Sequence, residues 1–546
     1  MKLLSRRTLA LSLAVVMGST MLAGCGGKKD GGGTDVSSKL DKNIKGEISY
    51  MTWAGDSKYY EDIGHMSLTT QKLTAANIAA IYAVAKKFNE KYPNVKINLW
   101  AKANDPDQPG TPSWDQEMEN FKTKYKKYPD IWSSTSVTND IKKGLVADLS
   151  VYKDDETYKK YNQGLMKVTN YHGVQAALPS FSIPWGVWIN KSLAQENNID
   201  IPSPDWTIDE YTEFFNSSDN KTFWGGKSTP TSIINVGTDT INKQITTKGD
   251  VKLDSDQVKD MLKYIPKWTK STIDSAEGAG TLSKEIQKES GVFSWFYFCN
   301  NRTLTNIEDP WYLTAGADPA GKSINSPEVI KANDWDIYPF PSTDYNKNTV
   351  KVVLDPICVH NYSADDGNTE WSEAEKQKLL LSYTFASYLT ASTEAKQAVF
   401  DQKYTAAGTE KSAAGDSFPV VTGKDYEDQM EIWNSHPAHK VYKDKEGFKK
   451  INEIWQKGEY WDYSDKTWTT NLQEKGETTD CLYEWKNMWN EEVAGVWQGK
   501  PGWENSVLSK LSDWNTTCNK RIKKSQQQLN DALKKYYHLT DADLKK

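Results

Sequence analysis

The chain has 546 residues, which is too long for one ordinary hydrophobic core, so we expect two or more domains. Its 73 acidic and 67 basic residues leave a formal charge of −6, and the two signs are mixed along the chain. This balance excludes an electrostatic nucleic-acid binder, which needs a clustered basic face. The unusual feature is the content of 22 tryptophans and 28 tyrosines, which are either core residues or a surface for a ligand.

Residues 1–25 differ in composition from the rest and are predicted to be a lipoprotein signal peptide. Lys2, Arg6 and Arg7 form a basic start, an almost uncharged apolar run follows, and the segment ends in Leu-Ala-Gly-Cys. The apolar run is too short for a comfortable membrane span. The ending resembles the bacterial lipobox, which implies that Cys25 is lipidated. A twin-arginine signal and a plain cleaved signal are the alternatives.

Residues 26–44 are rich in Gly, Ser, Lys and Asp, and we predict that they form a flexible tether. No later stretch approaches 18 consecutive apolar residues. We therefore expect a folded body outside the membrane, held by lipid at the extracellular face of the cell membrane.

The predicted body contains four more cysteines: Cys299, Cys358, Cys481 and Cys518. They lack the spacing of a zinc motif. The first two lie in apolar runs typical of buried residues, and pairing of the last two is left open. His436 and His439 form an isolated pair in "HPAH". We expect no metal site and no cofactor.

The first part of the body is predicted to be an α/β unit. Residues 46–56 alternate apolar and polar side chains as a half-buried strand does, residues 78–92 have one apolar helix face, and "VKINLWA" follows as a second strand. A short strand in "YPDIWSSTS" comes next. Alternating elements of this kind favour a mostly parallel sheet, which binds ligands outside the carboxyl ends of its strands. Four residues lie at such ends: Trp53, Asp56, Trp132 and Ser133.

The remaining elements follow from the same patterns. "ALPSFSIPWGVWINK" predicts a crossing strand, with a helix beginning near Asn190, and Thr207 with Glu210 forms a capping-box pattern. Residues 255–290 are predicted to be helical, and "GVFSWFYFCNN" to be a buried strand or strand-turn. "NDWDIYPFPST" and "VKVVLDPICVHNY" predict two more strands, and "EKQKLLLSYTFASYLTASTEAKQAVF" one long amphipathic helix. The chain beyond about residue 420 is predicted to be helical and rich in tryptophan.

Several motifs occur in an order that resembles the family 1 extracellular solute-binding proteins of bacterial carbohydrate ABC transporters. They include Pro129-Asp130-Ile131, the run Gly144-Leu145-Val146-Ala147-Asp148-Leu149, the segment Ile189-Asn190-Lys191-Ser192-Leu193 with isoleucine in place of the usual tyrosine, and "YPFP" from Tyr338 to Pro341. The resemblance covers roughly residues 45–425.

This resemblance implies a periplasmic-binding-protein-like (type II) α/β fold, in which two lobes joined by a hinge close on a ligand. One lobe is placed at about residues 45–165 plus 345–425 and the other at 166–344. Residues 426–546 are placed as a C-terminal helical region that packs on the lobes.

Sugar pockets combine flat aromatic rings, which stack on the apolar face of the sugar, with polar side chains for the hydroxyl rim. Trp185 and Trp188 are an odd step apart, so an unbroken strand places them on opposite faces, and Trp185 is the predicted ligand contact. The full set of predicted ligand-binding residues is Trp53, Asp56, Trp132, Ser133, Ser134, Trp185, Trp295, Tyr297, Arg302 and Asp355. Most of the other tryptophans are predicted to be core residues.

The predicted function is that of a receptor which captures an oligosaccharide and delivers it to an ABC permease without catalysis. We expect a monomer. A secreted carbohydrate-active hydrolase or lyase is one alternative, although no motif singles out the pair of acidic residues that it needs. A receptor for a peptide or another non-sugar solute is the other.

Overall fold

The fold is built on one large mixed β-sheet flanked by helices. The computed structural model describes residues 40–53, 58–102, 112–288, 295–308, 333–365, 371–406, 408–458, 460–462, 471–474, 477–487 and 503–545. The strands are β1 (Gly46–Trp53), β2 (Lys58–Tyr60), β3 (Val95–Lys102), β4 (Ile131–Ser133), β5 (Asn170–Tyr171), β6 (Val174–Gln175), β7 (Leu178–Asn190), β8 (Thr305–Glu308), β9 (Trp335–Tyr338), β10 (Val350–Val359), β11 (Lys403–Ala406), β12 (Thr409–Ser412), β13 (Tyr460–Asp462), β14 (Asn471–Glu474) and β15 (Glu477–Asp480).

The helices are distributed along the whole described chain. The α-helices are Ala76–Lys91, Trp114–Tyr125, Val137–Lys142, Glu156–Lys160, Gln163–Val168, Lys191–Glu196, Ile208–Asn216, Ser232–Gly237, Asn242–Lys248, Asp256–Leu262, Ile265–Thr269, Ile273–Gly278, Lys284–Gln287, Trp295–Cys299, Tyr362–Asp365, Glu373–Ala391, Thr393–Asp401, Gly423–Ser435, Pro437–Lys440, Glu446–Lys457, Tyr483–Asn487 and Trp503–Tyr537. Short 3-10 helices are Thr70–Lys72, Leu149–Tyr152 and Asp543–Lys545. Within the described residues, no helix is both long enough and apolar enough to cross a bilayer.

The large sheet has the strand order β2-β3-β1-β4-β10-β7-β8, with β9 also paired to β7 and β13 to β10. Strand β1 runs parallel to β3 and β4, as the βαβ pattern predicts. Strand β10 is antiparallel to both β4 and β7, so the whole sheet is mixed rather than mostly parallel.

Strands β7 and β10 connect two groups of strands, and we call them the crossing strands. The first strand group is β1 to β4, which β10 joins at Ile357–Val359. The second strand group is β8, β9 and residues 186–190 of β7. The predicted crossing of "ALPSFSIPWGVWINK" is confirmed, because this single strand of 13 residues pairs with β10 in its first half and with β8 and β9 in its second.

Two hydrophobic clusters lie in these two groups. The first cluster contains Met51, Trp132 and Cys358 of the first strand group and the strand next to it. The second cluster contains Val187 and Ile189 of β7. Each group therefore buries apolar side chains of its own.

Local signals in the sequence specify several helix ends. Thr207 accepts a hydrogen bond from Glu210 N at 3.3 Å while Glu210 accepts one from Thr207 N at 2.6 Å, so the predicted capping box is present. Asn190 caps the helix that follows β7 by accepting from Leu193 N at 3.0 Å. The long helix predicted before residue 400 is divided at Ser392, which accepts from Ala395 N at 3.3 Å and begins a second helix.

The predicted strand in "GVFSWFYFCNN" is wrong. The run "GVFSWFYFCNN" contains a helix, Trp295–Cys299, where we predicted a strand. Periodicity cannot distinguish a helix from a strand in this short apolar run. Tyr297 and the fully buried Phe298 would be buried in either element. The C-terminal region also differs from the expectation of helices alone, because β13 pairs with β10 in the large sheet.

Candidate binding site

Three polar or aromatic side chains share one face of the crossing strands. Trp185 pairs directly with Lys351, and Asp355 lies four residues further along β10 on the same face. The ammonium of Lys351 is 3.8 Å from the centre of the Trp185 ring, which is a close cation–π contact. Trp185 and Asp355 are both half-buried, so they retain surface that a ligand can contact.

Trp188 has different surroundings from Trp185. Its side chain is fully buried and meets the ring of Tyr442 edge to face at 5.4 Å. Trp185 instead packs against the second cluster, together with Val187 on its own face of β7. The unbroken strand therefore gives the two rings opposite faces, as the odd spacing predicts.

A second aromatic group lies at the carboxyl ends of β1 and β3. The half-buried ring of Trp53 lies 4.4 Å from that of Trp114, and the ammonium of Lys102 is 4.9 Å from the Trp53 ring. Burial lowers the pKa of Lys102, although the nearby charge of Glu117 acts in the opposite direction. The predicted neighbour Asp56 lies outside the described residues.

The three predicted residues after the Pro-Asp-Ile motif are buried. Trp132 donates its indole N–H to Asp140 at 3.0 Å, and Ser134 Oγ donates to the same carboxylate at 2.7 Å. Ser133 Oγ lies 2.9 Å from Thr52 Oγ1. Trp132, Ser134 and Asp140 form an internal hydrogen-bond network, and Trp132 has no exposed surface.

The carboxylate in that network has an altered acidity. Burial raises the pKa of Asp140 to about 6, although the hydrogen bonds from Ser134 and Trp132 act to lower it. Because this carboxyl group is enclosed, it affects the stability of the first strand group and is not placed to contact a ligand.

The remaining predicted residues lie outside the crossing strands. Tyr297 is 3% exposed and packs in a third cluster with Trp224 and Ile273. Arg302 donates from Nη1 to Thr222 O at 3.3 Å. The side chain of Trp295 lies outside the described part of the structure.

Sequence reasoning missed a half-open cavity of about 170 Å³ in the second strand group. Its lining residues are Tyr211, Phe215, Gly226, Lys227, Ser228, Thr229, Pro230, Thr231, Ser232, Thr305, Asn306 and Ile307. Ile307 pairs with Val187, so the cavity adjoins the face of β7 that carries Trp185. The run "KSTPTS" is the signal that could have indicated it, because six small or polar residues follow a buried Trp-Gly-Gly turn.

His439, Cys481 and Cys518 are buried in the protein core. No group of three or more potential metal ligands occurs in the described parts of the chain. The ring of His439 is fully buried and stacks on Trp433 at 3.8 Å. Cys481 and Cys518 are free thiols of the second cluster, and burial raises the pKa of each to about 12.

No protein-family model and no curated protein matches the sequence of this chain. Solved structures do match. A sugar transporter from Rhizobium etli in an open conformation is 15% identical with a TM-score of 0.53, over 87% of this chain and 99% of that one. The chain has a periplasmic-binding-protein-like fold.

Two further structures are similar to this one. The bacterial solute receptor AcbH, which has a substrate preference for β-D-galactopyranose, is 11% identical with a TM-score of 0.50, over 88% of this chain and 98% of that one. A family 1 extracellular solute-binding protein from Bifidobacterium longum subsp. infantis is 13% identical with a TM-score of 0.48, over 88% and 99%. At the identity of AcbH, the shared property is the periplasmic-binding-protein-like fold.

Proposed function

We propose that the protein is the substrate-binding lipoprotein of an ABC importer, and that it captures an oligosaccharide and delivers it to the membrane permease. The observation that carries the proposal is the pair of crossing strands, which join two strand groups in a fold that is shared with a sugar transporter over 99% of that protein's chain. In this fold the ligand is bound between two lobes, and the relative position of the lobes reports its presence.

The proposed contacts are the predicted residues that keep accessible surface, together with residues that line the cavity. Trp185 and Trp53 supply half-buried rings for stacking, and Asp355 supplies a carboxylate on the face of Trp185. The hydroxyl groups of the "KSTPTS" run supply hydrogen-bonding partners for sugar hydroxyls. We leave Trp132 out of this set because it is a core residue.

The deciding experiment is isothermal titration of residues 40–546 with a panel of α- and β-linked oligosaccharides, followed by chromatography of the same mixtures. Binding of one glycan that is recovered intact supports the receptor. Shortened products would show a hydrolase or lyase, and a folded protein that binds none of the panel would favour a peptide or another solute.

We also propose that the mature protein begins at a lipidated Cys25 and is tethered through residues 26–44. The Leu-Ala-Gly-Cys motif and the tether composition support this proposal. When the full chain is expressed in a bacterium, it should partition into the detergent phase of Triton X-114, and Cys25→Ala should partition into the aqueous phase. The wild type in the aqueous phase would contradict lipidation. Light scattering of the soluble body should give the mass of a monomer.

A further inference from the structure

The C-terminal helix, Trp503–Tyr537, is anchored to both strand groups through the hydrophobic clusters that lie in them. It has 35 residues and is therefore about 52 Å long. Neither glycine nor proline occurs within it, so it lacks the residues at which long helices usually kink.

The first two thirds of the helix are anchored to the second strand group. Four of its side chains belong to the second cluster: Val507, Leu511, Cys518 and Ile522. Asn519 holds the backbone of Val251 at both ends, by accepting from its N at 2.8 Å and donating to its O at 2.8 Å. Gln526 donates to Gly249 O at 2.8 Å.

The last third is anchored to the first strand group. Leu529, Ala532 and Leu533 belong to the first cluster, together with Met51 and Trp132. In the last turn Tyr537 donates its hydroxyl to Val146 O at 2.6 Å. The ring of Tyr536 lies against Gly144, where an added Cβ would be 2.6 Å from the ring.

The two sets of anchors are adjacent along the helix, with no helical turn between them. Gln526 donates to Gly249, which lies two residues from Val251 of the second cluster. Its neighbour Ser525 accepts a hydrogen bond at 3.0 Å from Lys142, which follows Ile141 of the first cluster. Any change in the angle between the groups must therefore bend a continuous helix or pull one set of buried side chains out of its cluster.

We propose that the C-terminal helix is a brace that sets the angle between the two strand groups before ligand binds and opposes a change in that angle. The crossing strands alone would act as a hinge, because two adjacent strands can twist together. With the brace in place, the binding site is held near one geometry before any ligand arrives. The inference concerns the protein without ligand and does not depend on the proposed sugar.

The test is a distance distribution across the two groups, measured by pulsed electron paramagnetic resonance. Asn120 and Glu213 are exposed positions on helices that pack on the first and second cluster, respectively. A ketone-bearing amino acid at both positions takes the spin labels and leaves the native cysteines unlabelled. The variant carries Ser525→Ala, which removes the contact with Lys142, and six Gly/Ser residues between Gln526 and Gln527, which span about 13 Å as a flexible coil and leave both sets of cluster side chains in place.

We expect a narrow distribution in the wild type and one about twofold wider in this variant, because the flexible coil uncouples the anchors. The matched control carries Ser525→Ala and the same six residues after Leu544, the last residue that packs against the first cluster, and should keep the wild-type width. Equal widths in wild type and variant would overturn the brace. If the insertion prevents folding, Tyr536→Ala with Tyr537→Ala takes its place, and an unchanged width in that variant would overturn the proposal equally.

Discussion

Trp185 presents a partly exposed indole on the face of the crossing strands that also carries Lys351 and Asp355. We expect Trp185→Ala to weaken binding of the cognate glycan roughly tenfold, because an aromatic contact contributes about 1 kcal/mol beyond burial and 1.4 kcal/mol is a factor of ten. Isothermal titration measures the change. Trp514→Ala is the matched control, because Trp514 is also half-buried and packs against the same cluster but lies on the C-terminal helix. Equal affinities for the two variants would contradict a stacking role.

Asp140 makes stability depend on pH in a defined direction. Burial raises its pKa to about 6 in the folded protein, so the folded protein keeps this proton to a higher pH than the unfolded chain does. Its contribution to the free energy of unfolding is therefore fully present below about pH 4 and is lost as the pH rises through about 6.

We expect the stability of Asp140→Asn relative to the wild type to increase by about 2 to 3 kcal/mol from pH 4 to pH 7. The amide oxygen still accepts hydrogen bonds from Trp132 and Ser134, and no charge is buried in the variant. Urea unfolding at both pH values measures the difference. Asp154→Asn, at an exposed position, should follow the wild type. A difference between Asp140→Asn and wild type that does not vary with pH would contradict the assignment.

At the scale of elements, Gly186 marks the point where β7 passes from β10 to the second strand group. A Cβ at this position would lie 2.4 Å from the backbone oxygen of Tyr338, which cannot move without shifting β9. We expect Gly186→Ala to lower the free energy of unfolding by about 2 kcal/mol through overpacking, as measured by urea unfolding. Gly415→Ala is the control, because no heavy atom lies within 4 Å of its added Cβ. Equal stability of the two variants would show that the sheet can absorb the methyl group.

At the scale of the whole molecule, one helix completes both clusters. Removing residues 503–546 deletes four buried side chains from the second cluster and three from the first. At about 1.5 kcal/mol or more for each large apolar side chain, the loss is comparable to the 5 to 15 kcal/mol that stabilise a folded protein. We therefore expect the truncated chain to lose its cooperative thermal transition, which calorimetry measures. A chain that lacks only Lys545 and Lys546 should keep it, and an intact transition in the long truncation would show that the helix is an accessory.

Local sequence signals determined much of this protein. The apolar periodicity of residues 78–92, the Thr207–Glu210 capping pair and the Asn190 cap depend on neighbours within four residues, and all three are present in the structure. The opposite environments of Trp185 and Trp188 also follow from strand geometry alone. Composition likewise excluded a basic face for nucleic acid.

Tertiary structure decided the rest, because it depends on contacts between residues that are distant in the chain. Whether "SWFYFC" forms a helix or a strand depends on the cluster that encloses it, since an apolar run of that length fits either. Trp132 and Trp53 follow similar motifs at strand ends, yet Asp140 and the first cluster bury one ring while the other keeps exposed surface. Two further features depend on segments that are up to hundreds of residues apart: the cavity beside β7 and the attachment of the C-terminal helix to both groups. Local sequence patterns cannot predict such contacts.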